Sequence, residues 1–396
     1  MASALQAREM VPAKVNNHIH TPYSFSAFES VGEAVDMALK ENVKILGIND
    51  FYVTDGYEEF IGKCTARGIF PLLNIELIGI SQEEQKQGIR VNDPNNPGRT
   101  YISGKGLAHP SIMPGPQREK LERVIGESNR QVTAMVTLLN DWFTRQGVDI
   151  RLSTGEIMRD LAVNLLRERH VAKMVRLKVE ASAGNDRDYF EILTRIYGGI
   201  APGKERGDIA GTEEELRARL LKSGAPAFVP EDEKAFLPLE EITGMIRDAG
   251  GIPTYPLLLD GAGGGVTEFE ADRERLLEVL QSRGFRSVEF IPLRNRPEML
   301  RDYVEFFYGN GFSVSFGTEH NTTAMRPLTV SCLAGSPLDR ELVRISYLGA
   351  AVVAAHQYRV AREGADYEPW PRGEMEKLGD SVFRHYFGNF DTGTGD

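Results

Sequence analysis

His18-Ile19-His20 sets two imidazoles one residue apart. In an extended chain, residues i and i+2 share a face, so both rings can meet one ion while Ile19 packs into the wall. Taken alone, such a pair is more often two surface histidines than a ligand pair. Its context is a series of acidic groups and one more histidine after short apolar runs: Asp50 after Ile48, Glu76 after Ile75, and Glu319-His320 after Phe316. Glu76 stands between Ile75 and Leu77, where a carboxylate needs a buried cation or a proton. The plainer alternative is a polar strand end paired with a lysine. If one fold gathers these positions, the chemistry open to them is divalent-cation binding with proton transfer.

The elements that would gather them alternate between helix and strand. Val31, Val35, Ala38 and Leu39 share a helical face ahead of the buried-strand pattern Val43–Ile48, and Tyr57–Arg67 reads as a helix closed by Gly68 before the strand Ile69–Glu76. The alternation returns at Pro238–Pro256, Asp272–Ile291 and Pro297–Phe316, each helix ending in glycine or asparagine. Between these halves, Leu121, Val124, Val132, Met135, Leu139 and Phe143 form one long helical stripe. Ser153 with Glu156, and Thr212 with Glu215, have capping-box spacing, the second helix closing at Gly224. The expected organisation is a barrel in two halves, residues 14–110 and 236–330, with a helical insertion at 111–235 and a helical tail at 331–396. In a βα barrel the carboxyl ends of the strands converge on one mouth, which would bring the histidines and carboxylates together. The run Gly261–Gly265 lacks the Lys-Ser/Thr of a phosphate-binding P-loop and reads as a loop.

Composition narrows the function classes. The 396 residues are 41% hydrophobic with a net charge of −11, a field that disfavours extended nucleic-acid binding while leaving a local cationic pocket open. Only Cys64 and Cys332 are present, which makes neither a disulfide framework nor a thiolate knuckle. Met1–Lys14 lacks a signal-peptide apolar run, and no stretch of about 18 apolar residues exists, so a soluble cytoplasmic protein is expected, with no membrane association.

As a set, the motifs resemble the PHP (polymerase and histidinol phosphatase) family. His18-Ile19-His20-Thr21-Pro22-Tyr23-Ser24 is similar to its first motif, Ile45–Phe51 to its second, and Asn74-Ile75-Glu76 to its third. Gly250–Pro256 resembles its Gly-Gly segment leading to Ala-His-Pro, and Gly317-Thr318-Glu319-His320 its terminal Gly-Ser-Asp-x-His, with order and spacing kept over roughly residues 15 to 330. The resemblance implies a distorted (β/α)7 barrel with a helical insertion and phosphoester hydrolysis by a cluster of up to three divalent ions. Departures are explicit. Phe51 and Tyr255 stand where the family has ligating histidines, Glu29 is the nearest carboxylate to an expected aspartate, and Glu319 replaces aspartate with His320 directly after it.

What remains is one metal position from His18, His20, Glu76 and Glu319, a nitrogen and oxygen set that suits Zn²⁺, Mn²⁺ or Fe²⁺ better than Mg²⁺. A second ion would need His109, His170, His320 or Tyr255. Asp50 or His320 is the expected proton acceptor, and His109, His170, Lys105, Arg294 and Tyr255 are the expected substrate contacts, Arg294 being suited to bidentate phosphate binding. His170 lies in Arg167-Glu168-Arg169-His170-Val171-Ala172-Lys173, which resembles an insertion helix of some family members. The expected activity is metal-dependent hydrolysis of a small phosphorylated metabolite or nucleotide. An amidohydrolase-like reaction and ligand binding without turnover stand as alternatives.

Overall fold

The computed structural model describes residues 12–110, 115–259, 266–364 and 371–391, so the Gly261–Gly265 run lies outside the described residues. Its strands are β1 Lys14–Ile19, β2 Val43–Phe51, β3 Phe70–Ile80, β4 Arg99–Lys105, β5 Leu237–Pro238, β6 Ile252–Leu257, β7 Ser287–Phe290 and β8 Ser313–Phe316. Hydrogen bonds order them β1-β2-β3-β4-β6-β7-β8, with the short β5 attached to β3. A bridge between Ile19 and Glu319 brings the chain after β8 back to β1, and the His20 amide donates to the Glu319 carbonyl at 2.7 Å. Seven strands therefore form a nearly closed barrel. Gly317 permits the seam, because a Cβ there would lie 2.2 Å from that of His18.

Every pairing is parallel except those of β4, which runs antiparallel to β3 and to β6. This strand was not expected from sequence. Its reversal sends the carboxyl end of β4 to the opposite end of the barrel from the mouth, since Lys105 pairs with Ile252 at the start of β6.

Helices α1 Val31–Lys40, α2 Tyr57–Thr65 and α3 Gln82–Gln87 connect the first strands. The Ser30 side chain caps α1 by accepting from the Glu33 amide, and Val31, Ala34, Val35 and Ala38 are its buried face. Leu39, expected on that face, is exposed. Between β4 and β5 run α4 Gly115–Arg145, α5 Thr154–Leu161, α6 Glu168–Ser182, α7 Asp186–Ile196 and α8 Ile209–Leu220. They share an apolar cluster of their own, with Leu139 and Phe143 of α4 packed among Val175, Tyr189, Leu193 and Leu216. The start of α8 differs from the expected capping box. Asp208 is its N-cap, accepting from the Gly211 amide, and Thr212 is buried inside the helix.

Helices α9 Leu239–Asp248, α10 Arg273–Ser282 and α11 Pro297–Gly309 alternate with the later strands, followed by α12 Arg340–Glu363 and α13 Arg372–Asp391. α12 is rich in alanine, and Ala350, Ala351 and Ala354 pack with Val15, Ile45 and Leu72 of the barrel strands. Its Gly349 approaches so closely that a Cβ would fall 1.7 Å from the Val314 carbonyl oxygen. No described helix is long and apolar enough to cross a membrane.

Candidate metal centre

β1 delivers His18 within the strand and His20 just past its end, while β3 delivers Glu76. One ligand atom from each lies within 4.8 Å of the others, and all three residues are buried. His18 Nε2 and His20 Nε2 are 3.3 Å apart, and His20 Nε2 is 3.5 Å from Glu76 Oε2.

The far side of each ring fixes what faces inward. His18 Nδ1 meets Glu289 Oε2 at 3.1 Å; burial raises the Glu289 carboxyl, but Lys105 and His18 outweigh it and hold it near 2. An ionised carboxylate only accepts, so His18 Nδ1–H donates to Glu289 and the ring turns its Nε2 inward, where the neutral imidazole offers a lone pair. His20 Nδ1 lies 3.2 Å from Ser24 Oγ, whose hydroxyl donates to Asp50 Oδ1 at 2.6 Å, so His20 Nδ1–H donates to Ser24 and its Nε2 also faces inward bare. Burial, then His18 and Arg169, holds His20 well below its ordinary pKa. Asn49 Nδ2 is 3.1 Å from both nitrogens of His18. An in-plane atom so placed would collide with Cε1, so it lies over the ring face and leaves the lone pair free.

Two imidazole lone pairs at 3.3 Å with a carboxylate oxygen beside them form an arrangement that a cation relieves. Burial, reinforced by Glu319 and Glu289, pushes the Glu76 carboxyl well above its usual range, against Lys105 and Arg294. A divalent ion would replace the proton that this carboxyl otherwise holds. Tying the second nitrogen of each imidazole to a neighbour is the outer-layer arrangement of metal-ligating histidines. The donor set fits one ion, and three protein ligands leave coordination positions open, as in catalytic and not in structural sites.

The other expected residues have different roles. Glu319 is outside the converging group: its carboxylate pairs with Arg294 and accepts from Asn321 Nδ2 at 2.7 Å. Arg294 is thereby engaged at the rim. Glu319 and His320 both hold positive φ, at 65° and 55°, the strained backbone of the seam that lies against β1. His320 Nε2–H donates to the Arg326 carbonyl at 2.8 Å, and Nδ1 is 2.8 Å from Thr318 Oγ1, leaving no nitrogen free to take a proton. Asp50 stands behind His20, its oxygens accepting from the Thr21 amide, the Thr21 hydroxyl and Ser24. Burial raises it to about 7 despite those bonds.

His170 does not face the metal position. Its Nε2–H donates to the Ser24 carbonyl at 2.6 Å and its Nδ1 accepts from the Arg167 amide at 3.1 Å, so it ties α6 to the loop that orients His20. Burial lowers it to about 4. Tyr255 is buried beside Phe269 and Phe285, and its hydroxyl is 2.9 Å from Glu270 Oε1. His109 is exposed, on the loop that the reversed β4 carries to the far end of the barrel. Lys105 is fully buried on Glu289 and unavailable to a ligand at the mouth.

Glu289, Ser24 and Asn49 were missed as site residues. Glu289 had a legible signal, a carboxylate between Val288 and Phe290 in a buried strand, the same pattern that singled out Glu76. Ser24 lay inside the first motif without a role. Beside the centre, a cavity of about 520 Å³ separates the barrel loops from α5, α6 and α8. Its lining includes Phe25, Arg169, Lys173 and Asn321, but not the three donors themselves. Phe25 stands between, stacked on His20 at 4.9 Å, with Arg169 over its ring at 5.5 Å.

No family model matches the sequence, and no curated protein matches it. Solved structures do match. An amidohydrolase from Chromobacterium violaceum, with bound sulfate and no metal, aligns with a TM-score of 0.51 at 15% identity, covering 84% of this chain and 97% of that one. A Bifidobacterium adolescentis protein assigned as a metal-dependent phosphoesterase aligns at 0.52 and 15%, covering 84% and 96%. The chain has the barrel fold of these two proteins, the α/β architecture that its motifs implied.

Proposed function

We infer that the protein is a metal-dependent hydrolase whose single divalent ion is held by His18, His20 and Glu76. The observation that carries this is the pair of imidazole Nε2 atoms facing each other at 3.3 Å beside a buried carboxylate. An ion bound there supplies Lewis acidity and activates water at neutral pH. The chain's own groups do the rest. Glu289 and Ser24 hold the imidazoles in the ligating tautomer, and the half-buried Phe25, stacked on His20, with the buried Phe51 beside it screens the donors from bulk water. Glu76 retains slight exposure, at 8% against 0–1% for the histidines, so the centre opens on its side.

The substrate class best supported is a small phosphoester. Arg169 and Lys173 line the adjacent cavity without an ion pair to any described carboxylate, and an anionic group is what such cations would take. The structural neighbour assigned as a phosphoesterase agrees with this. The neighbour named an amidohydrolase favours the second reading, amide hydrolysis at the same ion.

Purified protein is stripped with chelator, reloaded with Mn²⁺, Zn²⁺ or Fe²⁺, and tested on phosphomonoesters, phosphodiesters and amides. Metal-dependent turnover of phosphoesters is expected, and turnover of amides alone selects the second reading. A protein that binds none of these ions refutes both, and one that binds ions and ligands without turnover is a binding protein.

A further inference from the structure

Lys105 is the one lysine of the barrel interior among the described fully buried side chains, and its ammonium is completely committed. It donates to Glu289 Oε1 at 2.5 Å, to the Asn17 carbonyl at 3.2 Å and to Asn49 Oδ1 at 3.3 Å. An ammonium has three protons, and all three are used, so none is left for a substrate. Glu289, also fully buried, turns its other oxygen to His18 Nδ1 at 3.1 Å and accepts from Ser103 Oγ at 2.8 Å. A buried ammonium, its pKa lowered by burial against the pull of Glu289, therefore stands one carboxylate away from a proposed metal ligand, close enough to act electrostatically on both Glu76 and His20.

We propose that Lys105 is a resident cation of this centre, and that its ion pair with Glu289 limits the site to one divalent ion. This rests on the reading that His18, His20 and Glu76 hold metal. Two observations lead to it. The first is charge: Lys105 neutralises Glu289, Arg294 neutralises Glu319, and Asp50 is turned to Thr21 and Ser24, which leaves Glu76 as the acid that faces an incoming ion. A second divalent ion would meet the ammonium and the first ion in a buried, weakly screened space with no further carboxylate to balance it. The second is the cage itself. A carboxylate, a backbone carbonyl and a side-chain amide oxygen are hard oxygen donors of the kind that bind Mn²⁺, Mg²⁺ or Ca²⁺, and here an ammonium fills their focus. Lys105 is a positioning residue, acting through Glu289 on His18.

The test counts ions. Metal-free wild type and Lys105→Ala are titrated with Mn²⁺, desalted and analysed for metal per chain, with circular dichroism monitoring the fold. One ion is expected in the wild type and two in Lys105→Ala, where Glu289, Asn49 and the Asn17 carbonyl become free. Two or more ions in the wild type overturn the proposal and leave the hydrolase reading intact, whereas none in the wild type overturns the hydrolase reading itself. A folded Lys105→Ala that keeps one ion also overturns the proposal. If that variant does not fold, Lys105→Asn, shorter and uncharged but able to hydrogen-bond Glu289, is counted in its place, and the wild-type count decides independently.

Discussion

Replacing Glu270 with glutamine should flatten the alkaline fall in stability. Glu270 is fully buried beside β6, with Oε1 2.9 Å from the Tyr255 hydroxyl and both oxygens within 3.2 Å of the Leu258 amide. Burial raises its carboxyl from 4.5 to about 8, against the hydrogen bonds from Leu258 and Tyr255. The folded-state pKa lies above the unfolded one, so the stabilisation is complete below the unfolded value and is lost as pH rises through the folded one. In that window the unfolded chain has released a proton that the folded chain keeps. The slope approaches about 1.4 kcal/mol per pH unit, and the loss from about pH 5 to about pH 8 is roughly 3–4 kcal/mol. Glutamine keeps the shape and an acceptor oxygen but does not titrate. Asp50, raised to about 7, imposes a loss of the same sign on both proteins and cancels in the difference. Urea unfolding of wild type and Glu270→Gln across this range, with chelator present, should show the variant gaining on the wild type as pH rises. A difference constant to within about 1 kcal/mol would refute the buried, protonated Glu270 and with it the structural role given to Tyr255.

His18→Ala and His20→Ala should each lose the tightly held ion, and the metal-induced rise in melting temperature seen in the wild type should vanish with it. Ser24→Ala and Glu289→Gln release one imidazole each from its outer partner, so calorimetry should find the ion bound about 10–100-fold more weakly; unchanged affinity in both would remove the tautomer reasoning. Because Glu76 is raised well above the usual carboxylate range, ion binding should expel its proton, and the apparent binding enthalpy should vary with the ionisation enthalpy of the buffer. His170→Ala cuts the tie between α6 and the Ser24 carbonyl at a cost of about 1–3 kcal/mol, which should appear as faster amide exchange in α6 and the 22–29 loop.

Parallel strands such as β2, β3, β7 and β8 were legible because each is a short apolar run set off by turn residues, and the helices because their apolar faces recur every three to four residues. β4 was not, since Arg99–Lys105 is polar and glycine-containing and owes its place to pairing on both sides with β3 and β6. That one omission misplaced two residues. A forward-running strand would have carried Lys105 and His109 toward the mouth; the reversed one buries the first beneath the centre and exposes the second at the far end. Spacing likewise found His18, His20 and Glu76, which converge, but could not tell whether Glu319 joins them or pairs with Arg294. The choice depends on a guanidinium 25 positions away, brought there by the turn after β7.

The histidine pair is meaningful only together with what lies behind it. Two buried imidazoles at contact distance would ordinarily share a proton, one donating to the other. Here Glu289 and Ser24 claim the Nδ1 protons first, which turns the inner edge of each ring toward the other, and burial opposes adding a further proton to His20. Lys105 keeps Glu289 ionised and therefore an acceptor, while Asp50 takes the Ser24 hydroxyl proton and turns its lone pair toward His20. Reactivity toward a cation is thus set from the second layer: exchanging Lys105 or Ser24 would alter the centre without touching a single ligand atom.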